Sequence, residues 1–488
     1  MSRIIDFAKL NQLYTFKFVY ILQFKVPMLK QREHWSSRLG FILAAAGSAI
    51  GLGTLWKFPY VTGENGGGLF VLIYILCTFL IGIPVFIAEL ILGRRAQRGA
   101  VGIFDQLSGH STLWKTTGWL GVASAFLMMS FYSVVAGWGL NYVLMSLNQF
   151  YEGRTAQEIA DSFTILESSG DISLFWHGIF TLLTLAMVYP GIRQGIEFWS
   201  KIMTTSLLVL LLALVGFSMT LEGFREAIQF LFSPNWAEFK FSGALEALGL
   251  SFFTLSLGHG VMLTYGSYMH HREDIPKTSG IIGLMIIVIS LLAGLMIFPV
   301  IFTFGFAPQE GPGLVFKTLP VLFAKLPAPL LISTAFFVLF VFTALTSSIA
   351  LVEVVVANFI DLLGWSRKKS VVIVGIAVFL FGIPSALSAS RMIFPNWSLL
   401  YGKSFFATIN DLVSVWLLPI SGLMVSLFTG WALDQKISRE EFSFGTAYPM
   451  FWRPWLFCIR WIVPLAILAV LLQKSGLFDI DRLIARHP

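Results

Sequence analysis

Two stretches decide how this chain reads: Gly47-Ser48-Ala49-Ile50-Gly51-Leu52-Gly53 and, far downstream, Thr254-Leu255-Ser256-Leu257-Gly258-His259-Gly260. Each lies in the middle of a long apolar run. Glycine inside a helix costs about 1 kcal/mol relative to alanine, so such clusters favour local unwinding. Unwound backbone survives in hydrocarbon only where protein, water or a ligand satisfies its polar groups, which makes each cluster a candidate ion and substrate site. Close helix packing through small residues is the simpler explanation for either cluster alone. Together they open the first and sixth apolar spans, the arrangement expected when two inverted five-helix halves surround a midplane site.

Around these stretches the composition admits one class of fold. Of 488 residues, 56% are hydrophobic and 12% charged, against about a quarter charged in soluble domains. Spans are expected near 39–60, 67–93, 114–148, 174–191, 196–221, 243–269, 280–305, 329–363, 370–388, 408–433 and 450–473, each close to the roughly 20 residues that cross a bilayer. The expectation is an all-α polytopic membrane protein of about eleven transmembrane helices, with unwound helices 1 and 6 and inverted five-helix repeats. Residues 1–31 form an N-terminal extension, 32–433 the core with halves at about 39–221 and 243–433, and 434–488 the last helix and a tail. The extension has no signal-peptide cleavage site. It reads either as an interfacial segment or, the favoured reading, as sequence upstream of a true start at Met28.

Lys and Arg gather in alternate loops, about twice as many on one side as on the other, which places the N-terminus in the cytoplasm and the protein in the cell's inner (plasma) membrane. The formal charge of +7 then needs no nucleic-acid partner. Cys77 and Cys458 both sit in apolar runs, so no disulfide scaffold exists. Gly51-Leu52-Gly53 followed by Lys57 lacks the preceding strand of a phosphate loop. Adjacent His270 and His271 diverge on a helix and have no third ligand nearby. With no nucleophile-and-base pair, metal cluster or redox motif, an enzyme is not expected.

Several motifs resemble the neurotransmitter:sodium symporters, in particular their bacterial amino-acid transporters. These are Arg32-Glu33-His34-Trp35, the Gly47 to Gly53 stretch, Phe58-Pro59, Glu64-Asn65-Gly66-Gly67-Gly68, Gly195-Ile196-Glu197, Phe253-Thr254-Leu255-Ser256-Leu257-Gly258, Gly311-Pro312-Gly313-Leu314 and Leu345-Thr346-Ser347-Ser348, in the family's order. The resemblance implies inward movement of an amino acid driven by a sodium gradient, through alternating exposure of one site. It implies a sodium ion held by carbonyls of Gly47, Ile50 and Thr343 and hydroxyls of Thr346 and Ser347. The simpler fate of those hydroxyls is a bond back to the preceding helical turn. The family's second sodium site would fall on Ala49, Thr54, Thr254 and Ile286. Ile286 has no oxygen side chain, so this site is degraded and one sodium per cycle is expected. Tyr74, Thr254 and Ser290 match a chloride site of some relatives, but Leu250 replaces the usual glutamine, which places chloride dependence in doubt.

For the substrate, the resemblance implies a carboxylate held by amides of Leu52 and Gly53 and by the Tyr132 hydroxyl, and an ammonium held by carbonyls of Ala49, Phe253, Thr254 and Ser256. Ser48, Met128, Phe253, His259, Ser347 and Leu351 would line the side-chain pocket. His259 departs from the apolar residue usual in relatives: it either bonds a polar substrate tail, titrates during transport, or is a neutral ring satisfied by a backbone carbonyl. Arg32, Trp35, Ser267, Tyr268 and Asp361 match the inner gate. At the outer gate Lys57 stands where relatives have arginine, with Asp411 or Asn410 as its partner. Glu89 and Glu353 are intramembrane carboxylates with either a structural or a proton-coupling role. The alternatives to sodium symport are a proton-coupled carrier of similar fold and a non-transporting amino-acid sensor. The motifs specify neither the amino acid nor the oligomeric state.

Overall fold

A computed structural model describes residues 32–236, 241–306, 313–390 and 392–477. The expected start at Met28, Gly311-Pro312 of the quoted motif and the tail beyond residue 477 lie outside the described residues. The chain divides into two units, residues 1–33 and 34–488. The fold described below is that of the second.

Nine helices among the described residues are long and apolar enough to cross a membrane: Gly68–Ala96, Thr112–Leu147, Gly170–Val188, Ile192–Ser218, Ile275–Thr303, Pro329–Leu363, Arg367–Ala386, Phe405–Ala432 and Pro449–Lys474. A tenth is the broken pair Arg38–Ala49 and Gly53–Glu64, bent by 49°. Phe241–Thr254 and Val261–Gly266, each too short to cross alone, occupy the place of the sixth span. The molecule is an all-helical membrane protein, and in chain order these elements are its first to eleventh spans. Observed ends differ from the expected ones by a few residues, mostly where caps extend a span into polar sequence. Ser37 caps the first span by accepting from Gly40 N at 3.0 Å, Asp274 caps the seventh through Lys277 N at 3.0 Å, and Ser366 the ninth, each satisfying an amide that the helix leaves unpaired.

Wide, π-helical turns interrupt several spans and the short apolar helix Leu314–Phe323. Those at Gly53–Lys57, Thr78–Gly82, Leu314–Thr318, Leu412–Leu417 and Cys458–Ile462 all end two residues before a proline: Pro59, Pro84, Pro320, Pro419 and Pro464. Proline has no amide hydrogen and its ring clashes with the carbonyl four residues back, and a turn one residue wider relieves that clash without ending the helix. This is why the first span runs through Pro59 to Glu64.

Both breaks are present. In the first span the last bond of the leading half runs from Ile50 N to Ala46 O at 2.7 Å, and the next begins at Thr54 N to Gly51 O at 3.0 Å. Carbonyls from Gly47 to Ile50 therefore leave the helical ladder. In the sixth, Leu257 N bonds Phe252 O and Ser256 N bonds Phe253 O, both at 3.1 Å, with Ser256 left-handed at φ 53°, which is a Schellman termination. Gly258 and Gly260 follow at φ 78° and 72°, and Val261 restarts the helix. A side chain at Gly258 would also meet the Leu418 carbonyl at 2.6 Å. The third and eighth spans, the most deeply buried, pack together and flank both breaks.

Candidate functional site

The two breaks meet at one carbonyl. Ser48 O accepts the Ser256 hydroxyl at 3.0 Å and the Ser347 hydroxyl at 2.8 Å, so the first, sixth and eighth spans converge there. Gly51 makes this approach feasible, because a Cβ at that position would lie 2.6 Å from Ser347 Oγ and 3.4 Å from the Tyr132 hydroxyl. Leu52 N, an amide released by the break, donates to Tyr132 OH at 3.3 Å, which brings in the third span. Met128 and Leu351 are buried on the third and eighth spans.

Thr346 faces the leading half of the first span: a Cβ on Gly47 would lie 3.3 Å from Thr346 Cβ. Its hydroxyl donates to Thr343 O at 2.9 Å and is 3.2 Å from Phe342 O, the back-bond that the simpler reading expects. A hydroxyl has one proton and two lone pairs, so donating to Thr343 or Ser48 leaves Thr346 and Ser347 with oxygen lone pairs to offer a cation.

On the other flank, Thr254 Oγ1 and Tyr74 OH are 3.0 Å apart and Tyr74 OH and Ser290 Oγ 3.2 Å apart. Thr254 also donates to Leu250 O at 3.0 Å and Ser290 to Ile286 O at 2.9 Å. This hydroxyl cluster is bonded within itself, and the fully buried Ile286 side chain beside it is apolar. Thr54 Oγ1 is buried without a hydrogen-bond partner among the described residues, as are Ser48 Oγ and both ring nitrogens of His259. Glu89 accepts from Gly258 N at 3.0 Å, so its carboxylate braces the start of the second half of the sixth span, where a helix N-terminus favours negative charge.

The end of the site toward the start of the first span is closed by a clasp. Trp35 N donates to Tyr268 O at 3.1 Å and Trp35 Nε1 to Tyr265 O at 3.0 Å. His34 Nδ1 donates to Tyr268 O at 3.3 Å, His270 Nε2 to Trp35 O at 3.1 Å, and the two imidazoles stack 4.8 Å apart. Burial holds the His34 ring below the usual histidine value, with His270 and Arg193 lowering it further. Tyr268 OH donates to Glu353 at 2.6 Å, and Glu353, wholly buried, is gripped by Arg367 at 2.5 and 3.1 Å. Ser267 bonds Thr264 O at 2.5 Å, and Asp361 accepts from Gly99 N at 2.5 Å. Arg32 belongs to the N-terminal unit. The Arg367 partner of Glu353 and the His34–His270 stack escaped the sequence reading. The available signal was Gly364, whose left-handed φ of 64° ends the eighth span and turns Arg367 back toward Glu353.

At the opposite end the expected pairing of Lys57 with Asp411 is not made. Asp411 forms its ion pair with Lys403, and the Lys57 ammonium sits 4.8 Å over the Phe253 ring. Lys403 lies just before the tenth span and reaches Asp411 without leaving water, whereas Lys57 is a point charge without arginine's bidentate fork. Asn410 meets the Ser414 hydroxyl at 3.4 Å.

Comparison with known proteins agrees with this architecture. A model of the sodium:neurotransmitter symporter family matches residues 32–155 and 148–478. The chain is 41% identical over 450 residues to the uncharacterized sodium-dependent transporter YhdH of Bacillus subtilis, covering 91% of this chain and 98% of the relative. It is 34% identical to an uncharacterized sodium-dependent transporter of Haemophilus influenzae over the same shares. Among solved structures it resembles MhsT in complex with L-phenylalanine, with a TM-score of 0.83 at 40% identity over 90% of this chain and 99% of the other. With two broken spans meeting at Ser48 and a family match along nearly all of its described length, the chain belongs to the sodium:neurotransmitter symporter family, whose members are sodium-dependent membrane transporters and not enzymes.

Proposed function

We propose that this protein is a sodium-coupled symporter that imports a neutral amino acid by alternating access, one sodium per cycle, with the Trp35 clasp on the cytoplasmic side of the cell's plasma membrane. The observation that carries the reading is the convergence at Ser48: released carbonyls of the first span face two hydroxyls of the eighth, an oxygen-only set suited to a hard cation. Gly47, Ile50, Thr343, Thr346 and Ser347 supply the sodium ligands. Amides of Leu52 and Gly53 with Tyr132 OH take the substrate carboxylate, and carbonyls of Ala49, Phe253, Thr254 and Ser256 take the ammonium, so both charges of the zwitterion are paired out of water. One sodium follows from the second site, where Ala49, Thr54 and Thr254 have Ile286 in place of a fourth oxygen. The internally bonded Tyr74–Thr254–Ser290 cluster needs no chloride. Trp35, Ser267, Tyr268 and Asp361 close the inner gate and Lys57 over Phe253 the outer lid. Glu353, tied to Arg367 and Tyr268, belongs to that inner closure rather than to a proton path.

The MhsT structure, which holds L-phenylalanine, supports an amino acid as substrate. The test is uptake of a pool of labelled neutral amino acids into proteoliposomes. Accumulation with sodium outside and none with potassium is expected. Accumulation driven equally by a proton gradient without sodium, or binding without accumulation, would overturn the reading.

A further inference from the structure

His259 has no role in the sodium or zwitterion contacts, yet it sits in the break of the sixth span between two left-handed glycines and is 3% exposed. Neither ring nitrogen makes a well-formed hydrogen bond among the described residues. The carbonyls of Ser256 and Leu257, in the same break, approach the ring, but neither reaches full hydrogen-bond geometry with it. On the first span, Ser48 is 2% exposed and its hydroxyl is equally unpartnered, although its carbonyl is bonded from both sides by Ser256 and Ser347. Each break thus contributes one orphaned polar side chain, and the Ser256 to Ser48 bond ties the breaks together.

Buried donors and acceptors are almost always paired in folded proteins, and the exceptions cluster where a ligand supplies the partner. No carboxylate bonds the His259 ring among the described residues, and a neutral imidazole offers one donor and one acceptor. A serine hydroxyl offers the same two functions. A wholly apolar substrate tip leaves these atoms unpaired, and a charged tip finds no countercharge in them. Resting on the amino-acid reading above, we propose that His259, with Ser48, selects neutral amino acids whose side chain ends in a hydroxyl or carboxamide, and disfavours their apolar counterparts.

The test is equilibrium binding to the purified full-length protein in saturating sodium, using matched pairs: tyrosine against phenylalanine, and glutamine against leucine. The polar member of at least one pair is expected to bind at least about tenfold more tightly, because a site built to hydrogen-bond a substrate rejects the analogue that leaves its groups unpaired. His259→Phe should abolish that preference and Ser48→Ala should reduce it, as ratios within each variant. Equal affinities within both pairs for the unmodified protein would overturn the inference while leaving the symporter reading intact, as would an unchanged ratio in His259→Phe. If no neutral amino acid binds, the symporter reading itself falls and the inference with it.

Discussion

In the proposed reading, Ser347 and Thr346 serve structure and transport together. Each spends its single proton on a carbonyl, Ser48 O at 2.8 Å and Thr343 O at 2.9 Å. Those bonds fix the hydroxyl direction and aim the remaining lone pairs. The bond back to the helix and the role as cation ligand are therefore compatible, and the choice between them posed by the sequence alone was too strict. Replacing either residue by alanine removes one oxygen from the proposed set. Ser347→Ala and Thr346→Ala are each expected to raise the sodium concentration for half-maximal uptake about tenfold, or ~1.4 kcal/mol, as read from sodium titrations of initial rate. An unchanged half-saturation in both variants would move the cation elsewhere. These two residues were legible because the motif names adjacent hydroxyls in an apolar helix. The partner of Lys57 was not, because the choice between Asp411 and the Phe253 face depended on Lys403, which no spacing rule connects to either.

At the scale of elements, the breaks were legible because glycine clusters in apolar runs have few other uses. The wide turns were not, since a proline inside an apolar run does not by itself tell whether a kink or an extra residue in the turn absorbs it. The clasp joining the start of the first span to the end of the sixth was half legible: Trp35 and Tyr268 by motif, His34 and His270 not at all. It carries a pH dependence. Burial lowers His34 below 6.5, so the closed clasp favours the neutral ring. That contribution is complete above about 6.5 and is lost as the pH falls through the lowered value. The groups facing the ring are His270, His271 and Arg193, all cationic when charged. The nearby Glu197 is already engaged by Lys201 at 2.6 Å and by Ser36, which leaves it poorly placed to compensate. A cysteine placed at Ser267 should react several-fold faster with a thiol reagent at pH 5.5 than at pH 7.5, after normalisation to an exposed control cysteine. His34→Gln should flatten that profile, and an acid response equal in both proteins would remove His34 from the mechanism.

For the molecule as a whole, hydropathy and composition were sufficient for the spans. Interior glycines located the two breaks, where a bilayer leaves unpaired backbone dependent on protein, water or a ligand. Connecting helices such as Ala156–Ser168, held by the Thr155–Glu158 capping box, and Gln435–Ser443, pinned by the buried Arg94–Glu441 pair at 2.7 Å, were not foreseen, because short polar helices lack a long apolar period. At this scale the proposal concerns ion number. One flank of the breaks carries the hydroxyls and carbonyls of the proposed cation site, and the other a closed hydroxyl cluster and the Ile286 side chain. Counting labelled sodium bound per protein chain at saturating amino acid tests this most directly: the proposal predicts one ion per chain, lost in the Thr346→Ala, Ser347→Ala double variant. Two ions per chain, or one that survives in that variant, would contradict it.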